Sequence, residues 1–446
     1  MKERNTVLVV DGGGRGTALV EKYSQSSHVD NIIAVPGNDW MSKVSKKPVR
    51  TFQDIKTSDI VKIATLCKEL RVDLVDVAQE NAVREGLVGM LNLFKIPAVG
   101  PTRAAGRIEW DKNYARVFGD NFELPQPKYG SFNAEQQAET FLDSQENNRW
   151  FVKAAGLAEG KGAVPATSKQ EVLEAIRWLK KEYPDASQVF LIEEWVEGEE
   201  FSAFAVSDSR NFIVLGYAQD HKRENDGDQG QNTGGMGAES KPLIAEDLDL
   251  QREVENIFRK TINGKPGGGY RGILYLGAIK RKVAEDPHKK TVVIEFNSRW
   301  GDPEAQVVVP GLNVDFFEIG MEVARGTLRR IKFSNDEKIR VAVAGVAKGY
   351  PRSKSQEYLE SQGKQIFGLN DAQKVDGVTI YGAGIKIENG KHYTKGGRLF
   401  YVVGEGNNVI EARQKAYGAM SMISIEGNNL HFRTDIGWRD VERLRK

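Results

Sequence analysis

Apolar positions follow two rhythms along the chain. Up to about residue 123, short apolar runs alternate with longer amphipathic stretches. "TVLVV" (6–10), "NIIAV" (31–35), "DLVDVA" (73–78) and "IPAVGPT" (96–102) have strand length. "DGGGRGTALVEKY" (11–23), "DIVKIATLCKELRV" (59–72) and "REGLVGMLNLF" (84–94) carry helical spacing. That order predicts βαβ units on a parallel sheet. From about 124 to 194 the strands "RWFVKAA", "GAVPAT" and "QVFLIEE" surround one long helix, "SKQEVLEAIRWLKKEY", with Ser168 and Glu171 placed for a capping box. Further on, "IRVAVAGVA", "VTIYGAGIKIENG" and "RLFYVVGEG" predict a small antiparallel sheet, followed by a helix from about Asn408. Four segments result: 1–123, 124–194, 195–330 and 331–446. A chain of 446 residues is too long for a single core.

Composition removes several classes. Lys and Arg total 63 against 62 Asp and Glu, a net charge of +1, so no basic excess points to nucleic acid. The lone Cys67 has no internal disulfide partner, which suits a reducing, cytoplasmic setting. The first apolar run is too short for a signal peptide, and no run approaches the ~18 residues of a membrane span.

Candidate chemistry lies in the loops. "WFVKAAGLAEGKGAVPA" (150–166) misses the P-loop spacing by one residue, and Gly162 stands where a hydroxyl belongs. It reads as a glycine-rich flap over a nucleotide or as a plain hairpin tip. The first glycine turn lacks the third dinucleotide-fingerprint glycine, because Thr17 occupies it, and Asn38 follows the second strand where an acid would hold a ribose. NAD is disfavoured. The turn reads either as a seat for a phosphorylated small molecule or as a tight turn alone. "FLIEEWVEGEE" is a charge run or an adenine hinge. "YAQDHKREND" is a polar loop or a substrate cradle. The small residues of "QNTGGMGAES" admit a ligand or another backbone. In "KTVVIEFNSRWGDPEAQ", alternation puts Glu295, Asn297 and Arg299 on one face of a buried strand. A carboxylate and an amide oxygen there suit Mg²⁺ held jointly with nucleotide phosphates. The competing reading is a buried Glu295–Arg299 ion pair.

The motifs "FVKAAGLAEGKG", "IEEWVEGEE", "QDHKR", "NTGGMGA", "IEFNSRWGDPE" and "TDIGWRD" occur in this order. The chain thereby resembles the glycinamide ribonucleotide synthetase family, in the ATP-grasp superfamily. The resemblance implies a multidomain α/β and α+β architecture: an N-terminal parallel α/β domain, a lid, a central ATP-grasp domain and a C-terminal mixed-sheet domain. It implies ATP and Mg²⁺, with Mn²⁺ as the alternative ion, and glycine and 5-phosphoribosylamine as substrates of a monomer or homodimer. Carried over by motif, Lys112, Lys153, Gly160, Glu193, Val196 and Glu200 bind ATP. Glu295 and Asn297 hold the metal. Lys161, Asp220, His221, Lys222, Arg299 and Asp302 serve the transfer. Gly13, Gly14, Arg15, Asn38 and Glu80 face the phosphoribosyl side. In that setting the guanidinium of Arg15 and the hydroxyl of Thr17 are expected to meet the phosphate. Departures cluster there: Gly16 and Thr17 follow Arg15, and Ala78-Gln79 precede Glu80, where the family reads glycine-proline. A related ligase with another amine acceptor is the alternative.

Overall fold

The computed structural model describes residues 4–146, 148–158, 162–282 and 290–446. β1 (Asn5–Val9), β2 (Val29–Ala34), β3 (Val49–Thr51), β4 (Leu74–Asp76) and β5 (Ala98–Val99) form a parallel sheet in the order β3–β2–β1–β4–β5. Val7, Leu8 and Val9 are fully buried, as expected for a strand covered on both faces. The strand order reverses between β1 and β4, so a crevice opens at their C-terminal ends. The glycine turn, Gln79 and Glu80 lie there. The helix expected at 84–94 is two helices, Glu80–Glu85 and Leu87–Leu93. Gly86 separates them with φ of 90°, a conformation that ends a helix.

β6 (Tyr129–Phe132), β7 (Trp150–Ala154), β8 (Ala163–Ala166) and β9 (Phe190–Glu194) make an antiparallel sheet in the order β6–β9–β7–β8. Its own small core includes Trp150, Val152, Ile176 and Phe190. The glycine-rich stretch 150–166 therefore falls on the β7–β8 hairpin. The Ser168 hydroxyl accepts from Glu171 N–H at 3.2 Å, capping the helix Lys169–Glu182. Glu171 reaches back to Thr167 N–H at 2.7 Å, one residue beyond the expected box partner.

β10 (Gly198–Asp208) and β11 (Phe212–Asp220) pair as a hairpin, and β12 (Arg223–Asn225) and β13 (Gln229–Asn232) form a short ribbon beyond it. The remaining strands are β14 (Gly237–Ser240), β15 (Arg271–Arg281), β16 (Thr291–Asn297), β17 (Ile339–Ala347), β18 (Gln365–Phe367), β19 (Val378–Gly382), β20 (Ile385–Glu388), β21 (Lys391–Thr394), β22 (Arg398–Gly406), β23 (Ser424–Ile425) and β24 (Leu430–His431). The largest sheet runs β16–β15–β10–β11–β14–β17–β22–β19, with β24 alongside β17. C-terminal strands thus extend the central sheet through the β14–β17 pairing rather than forming only a separate small sheet. β18, β20, β21 and β23 make a second, four-stranded sheet.

In the 231–240 segment, close approach is by protein. A Cβ on Gly235 would lie 2.4 Å from Pro303, and one on Gly237 would lie 2.5 Å from the Ala342 carbonyl. One apolar cluster, including Val9, Leu19, Trp300, Phe316, Val343 and Tyr401, joins the N-terminal sheet to the C-terminal strands. Among the described residues no helix is long and apolar enough to cross a membrane.

Candidate active site

β7 and β9 turn Lys153 and Glu193 inward, and the helix Lys112–Asn121 brings Arg116 up to meet them. Arg116 forks onto both oxygens of Glu193, at 2.8 and 2.9 Å, while Lys153 Nζ lies 2.7 Å away. Arg116 also donates to the carbonyls of Val293 and Ile294, at 3.1 and 2.7 Å, which ties the lid to β16. Burial would raise the Glu193 pKa, but the two cations outweigh it and hold the carboxyl at about 2. The Glu193 carboxylate is committed to Arg116 and Lys153, while the adenine hinge expected at Glu193 and Val196 calls on backbone groups.

A pH dependence follows. The folded-state value lies below the ordinary value of 4.5, so this group contributes stability that is present above about pH 4.5. That contribution is lost as pH falls towards 2. Chemical denaturation from pH 7 to 2 is expected to show a stability gap between the parent and Glu193→Gln that narrows across this interval. A constant gap would contradict the assignment.

In the segment 195–197 Trp195 stacks on Phe151, ring centroids 4.6 Å apart, and the Arg149 guanidinium lies 4.5 Å from the Trp195 ring centroid. Val196 beside it is buried. Lys112 donates to the Gly156 carbonyl at 3.2 Å; burial lowers its pKa and Glu295 opposes that shift. Gly160 and Lys161 lie outside the described residues.

Glu295 and Asn297 share a face of β16, with Asn297 Nδ2 donating to Glu295 Oε1 at 3.4 Å. Burial raises the Glu295 pKa, but Lys222, Lys153 and Lys112 together bring it below its usual value. The alternative ion pair is not formed. Arg299 Nε sits 3.1 Å from Glu109 and 3.4 Å from Glu80, and its Nη1 donates to the Trp300 carbonyl. Among the described residues no three His, Cys, Asp or Glu side chains group so as to hold a metal by themselves. A carboxylate and an amide oxygen that together need phosphate oxygens to complete a shell fit Mg²⁺.

Beside them, Lys222 pairs with Glu200, and Gln219 Nε2 donates to Glu199 Oε1 at 2.9 Å and to the Glu200 carbonyl at 2.7 Å. Burial pushes the Asp220 carboxyl well above the usual range; Lys222 opposes this, while Glu304, Glu200 and Glu295 add to it. Glu304 was not singled out from the sequence. It is buried, with Ser202 Oγ 3.3 Å from its Oε1, and burial raises its pKa. An acid inside the apolar run "PEAQVVVP" was the available signal.

His221 does not face this cleft. Its Nε2 accepts from Gly437 N–H at 3.0 Å, and burial together with Arg433 and Arg439 pushes its pKa to about 3. The "TDIGWRD" tail folds back onto this region, through this bond and an ion pair between Arg439 and Asp228 of the β12–β13 turn.

The phosphoribosyl-side residues differ most from expectation. Arg15 is not free for a phosphate: Nε and Nη2 lie 2.8 and 2.7 Å from Asp11 Oδ2, and Nη1 donates to the Trp300 carbonyl at 2.7 Å. Asp11 also accepts from Gly13 N–H, Gly16 N–H and Gln79 Nε2. Gln79, a departure from the family pattern, thus braces the turn. Thr17 is likewise committed. Its hydroxyl donates to the Gly382 carbonyl at 2.7 Å, and Asn38 Nδ2 donates to that same carbonyl, to the Thr17 hydroxyl and to the Gly12 carbonyl. Gly14 is needed for close approach: a Cβ there would fall 2.3 Å from the Tyr401 ring. Asp302 accepts from Gln306 at 2.8 Å, lies 3.5 Å from Arg398 and reaches to 3.2 Å from a Cβ on Gly13. Arg299 is therefore held by Glu80, and Asp302 adjoins Gly13, while Arg15, Thr17 and Asn38 are tied into the surrounding protein.

A four-stranded lid over an antiparallel sheet, with Lys112 and Lys153 facing Glu295 and Asn297, is the arrangement of an ATP-grasp enzyme. The chain belongs to the phosphoribosylglycinamide synthetase family. Its N domain matches residues 5–109, its ATP-grasp (A) domain residues 110–305 and its C domain residues 340–439. The phosphoribosylamine–glycine ligase of Caulobacter vibrioides is 34% identical over 99% of this chain and 100% of its own length. The trifunctional purine biosynthetic protein adenosine-3 of Bos taurus is 35% identical over 99% of this chain, which spans 42% of that longer relative. The crystal structure of phosphoribosylamine–glycine ligase from Thermotoga maritima superposes with a TM-score of 0.76, at 26% identity, over 97% of this chain and 100% of that one.

Proposed function

We propose that the chain joins glycine to 5-phosphoribosylamine at the expense of ATP, giving glycinamide ribonucleotide, ADP and phosphate. The observation that carries this is the set Lys112, Lys153, Glu295 and Asn297 converging between lid and sheet, in a chain that aligns end to end with a bacterial ligase of that name. The glycine carboxylate attacks the γ-phosphorus, ADP leaves, and glycyl phosphate forms. The amine of phosphoribosylamine then attacks the carbonyl, phosphate departs, and the nitrogen loses a proton.

Lys153, fixed by Glu193, and Lys112 neutralise the nucleotide phosphates. Glu200, held by Lys222, takes the ribose hydroxyls. Asp220, with Lys222 beside it opposing the rise in its pKa, receives the proton lost by the amine. Glu295 and Asn297 hold Mg²⁺ when it arrives with ATP, and the ion supplies charge neutralisation at the phosphates. Arg299, anchored on Glu80 and Glu109, stands between the nucleotide and acceptor sides.

The commitments of Gln79 and Thr17 favour the family's acceptor. Each of these two residues bonds within the protein, Gln79 to Asp11 and Thr17 to the Gly382 carbonyl, and neither stands between Gly13 and Asp302. The test is an assay with glycine, Mg-ATP and phosphoribosylamine generated in place from ribose 5-phosphate and ammonia. Glycinamide ribonucleotide should appear in step with ADP. ADP release with glycine and hydroxylamine, but no ribonucleotide product, would instead establish a ligase for another amine.

A further inference from the structure

Behind the cleft-facing side of β11 lies a second polar cluster. Gln219 and His221 are two residues apart and share a face, opposite to that of Asp220 and Lys222. Gln219 stands directly across from Glu239 of β14. Gly437 of the C-terminal tail meets His221 and Glu239. Its N–H donates to His221 Nε2, and a Cβ on it would come 2.8 Å from Glu239 Oε2. Gln219 and His221 are 1% exposed and Glu239 is 0% exposed. Yet Gln219 Oε1, His221 Nδ1 and both Glu239 oxygens have no hydrogen-bond partner among the described residues.

Leaving such buried atoms unpaired is costly, so polar groups arranged in this way call for a hydrogen-bonding partner. Its chemistry is mixed. Because His221 Nε2 accepts, its proton is on Nδ1, which is a donor. Gln219 Oε1 is an acceptor. Burial, with Asp440 adding to it, pushes the Glu239 carboxyl well above the usual carboxylate range, which favours a form with one donor and one acceptor oxygen. A cation would be repelled by the Nδ1–H donor and by Arg413, Arg439 and Arg443, all of which act on Glu239. Water both donates and accepts, and it fits a small site with two to four polar partners.

We propose that Gln219, His221 and Glu239 enclose a site for ordered water beneath Gly437, and that this hydrated site positions Glu200. The link is short: Gln219 Nε2 holds Glu199 Oε1 and the Glu200 carbonyl, and Arg443 of the C-terminal helix holds Glu199 from the other side. Glu239 is then a positioning residue. It acts on the nucleotide through Gln219, and the proposal rests on the reading of Glu200 as the ribose-binding acid.

Two measurements on the unaltered protein and one on variants test this. A high-resolution crystal structure should show solvent within hydrogen-bonding distance of Gln219 Oε1 and His221 Nδ1. Nitrogen-15 NMR should find His221 as the Nδ1–H tautomer. Calorimetry should show MgADP binding about tenfold weaker in Glu239→Leu, which fills the site with an apolar group. Glu239→Gln, isosteric with the neutral acid, should stay within about twofold of the parent. A dry site, an Nε2–H tautomer, or Glu239→Gln losing as much affinity as Glu239→Leu would overturn the proposal. So would a folded Glu239→Leu that binds MgADP normally. If the parent fails to bind MgADP while the solvent is present, the nucleotide reading falls with the positioning role, but the hydrated site stands.

Discussion

Replacing Glu295 with Gln is expected to slow ligation at least about a hundredfold while barely moving the melting temperature. The side chain keeps its shape and its contact with the Asn297 amide, 3.4 Å away. What disappears is a charge, and no arginine depends on it: Arg299 is already satisfied by Glu109 and Glu80. Lys222, Lys153 and Lys112 act on Glu295 from a distance, and two of them have closer acidic partners in Glu200 and Glu193. The fold therefore loses little, whereas a site for a divalent ion loses its only carboxylate in the pair. Turnover should fall in kcat, and raised Mg²⁺ should restore part of it. Near-normal turnover combined with a markedly lower melting temperature would show that the carboxylate is structural.

Arg15→Ala is expected to have the largest effect on stability, about 3–5 kcal/mol, with a melting temperature lower by about 5–10 °C. Asp11 has a fully buried side chain and faces the Arg15 guanidinium at 2.7–2.8 Å. Removing the cation leaves a carboxylate out of water with only Gln79 Nε2 and two backbone N–H groups. The bond to the Trp300 carbonyl goes too, and with it a tie between the glycine turn and the "RWGDPE" loop. Loss of acceptor binding should therefore accompany loss of stability. If Arg15→Ala instead melts like the parent and only the KM for the amine rises, the guanidinium meets the substrate, and the turn is braced by Asp11 without it.

Both expectations rest on partners that no local pattern could name. Period-2 alternation placed Glu295 and Asn297 on one face, and the structure has them hydrogen-bonded there. The same alternation carried Arg299 to that face as well, but the strand ends at Asn297 and the chain turns, so Arg299 reaches residues 80 and 109. The histidine in "QDHKR" looked like chemistry because it stands between an acid and a base. It points to the opposite side from both, where Gly437 meets it.

The helix starts at Ser168 and Asn408, the β7–β8 hairpin, the parallel first sheet and the separation of an apolar strand from its acidic end were all set by the sequence itself. They depend on backbone geometry and on side chains within four residues of one another, and such periodicity is written directly in the chain. Which cation neutralises which acid was decided only by tertiary structure. So were the extension of the central sheet by β17, β22 and β19, and the ties of Arg15, Thr17 and Asn38 to Asp11, the Trp300 carbonyl and the Gly382 carbonyl. Those outcomes turn on groups tens to hundreds of residues apart arriving within about 4 Å, where charge and hydrogen-bond energies are strong enough to choose a partner.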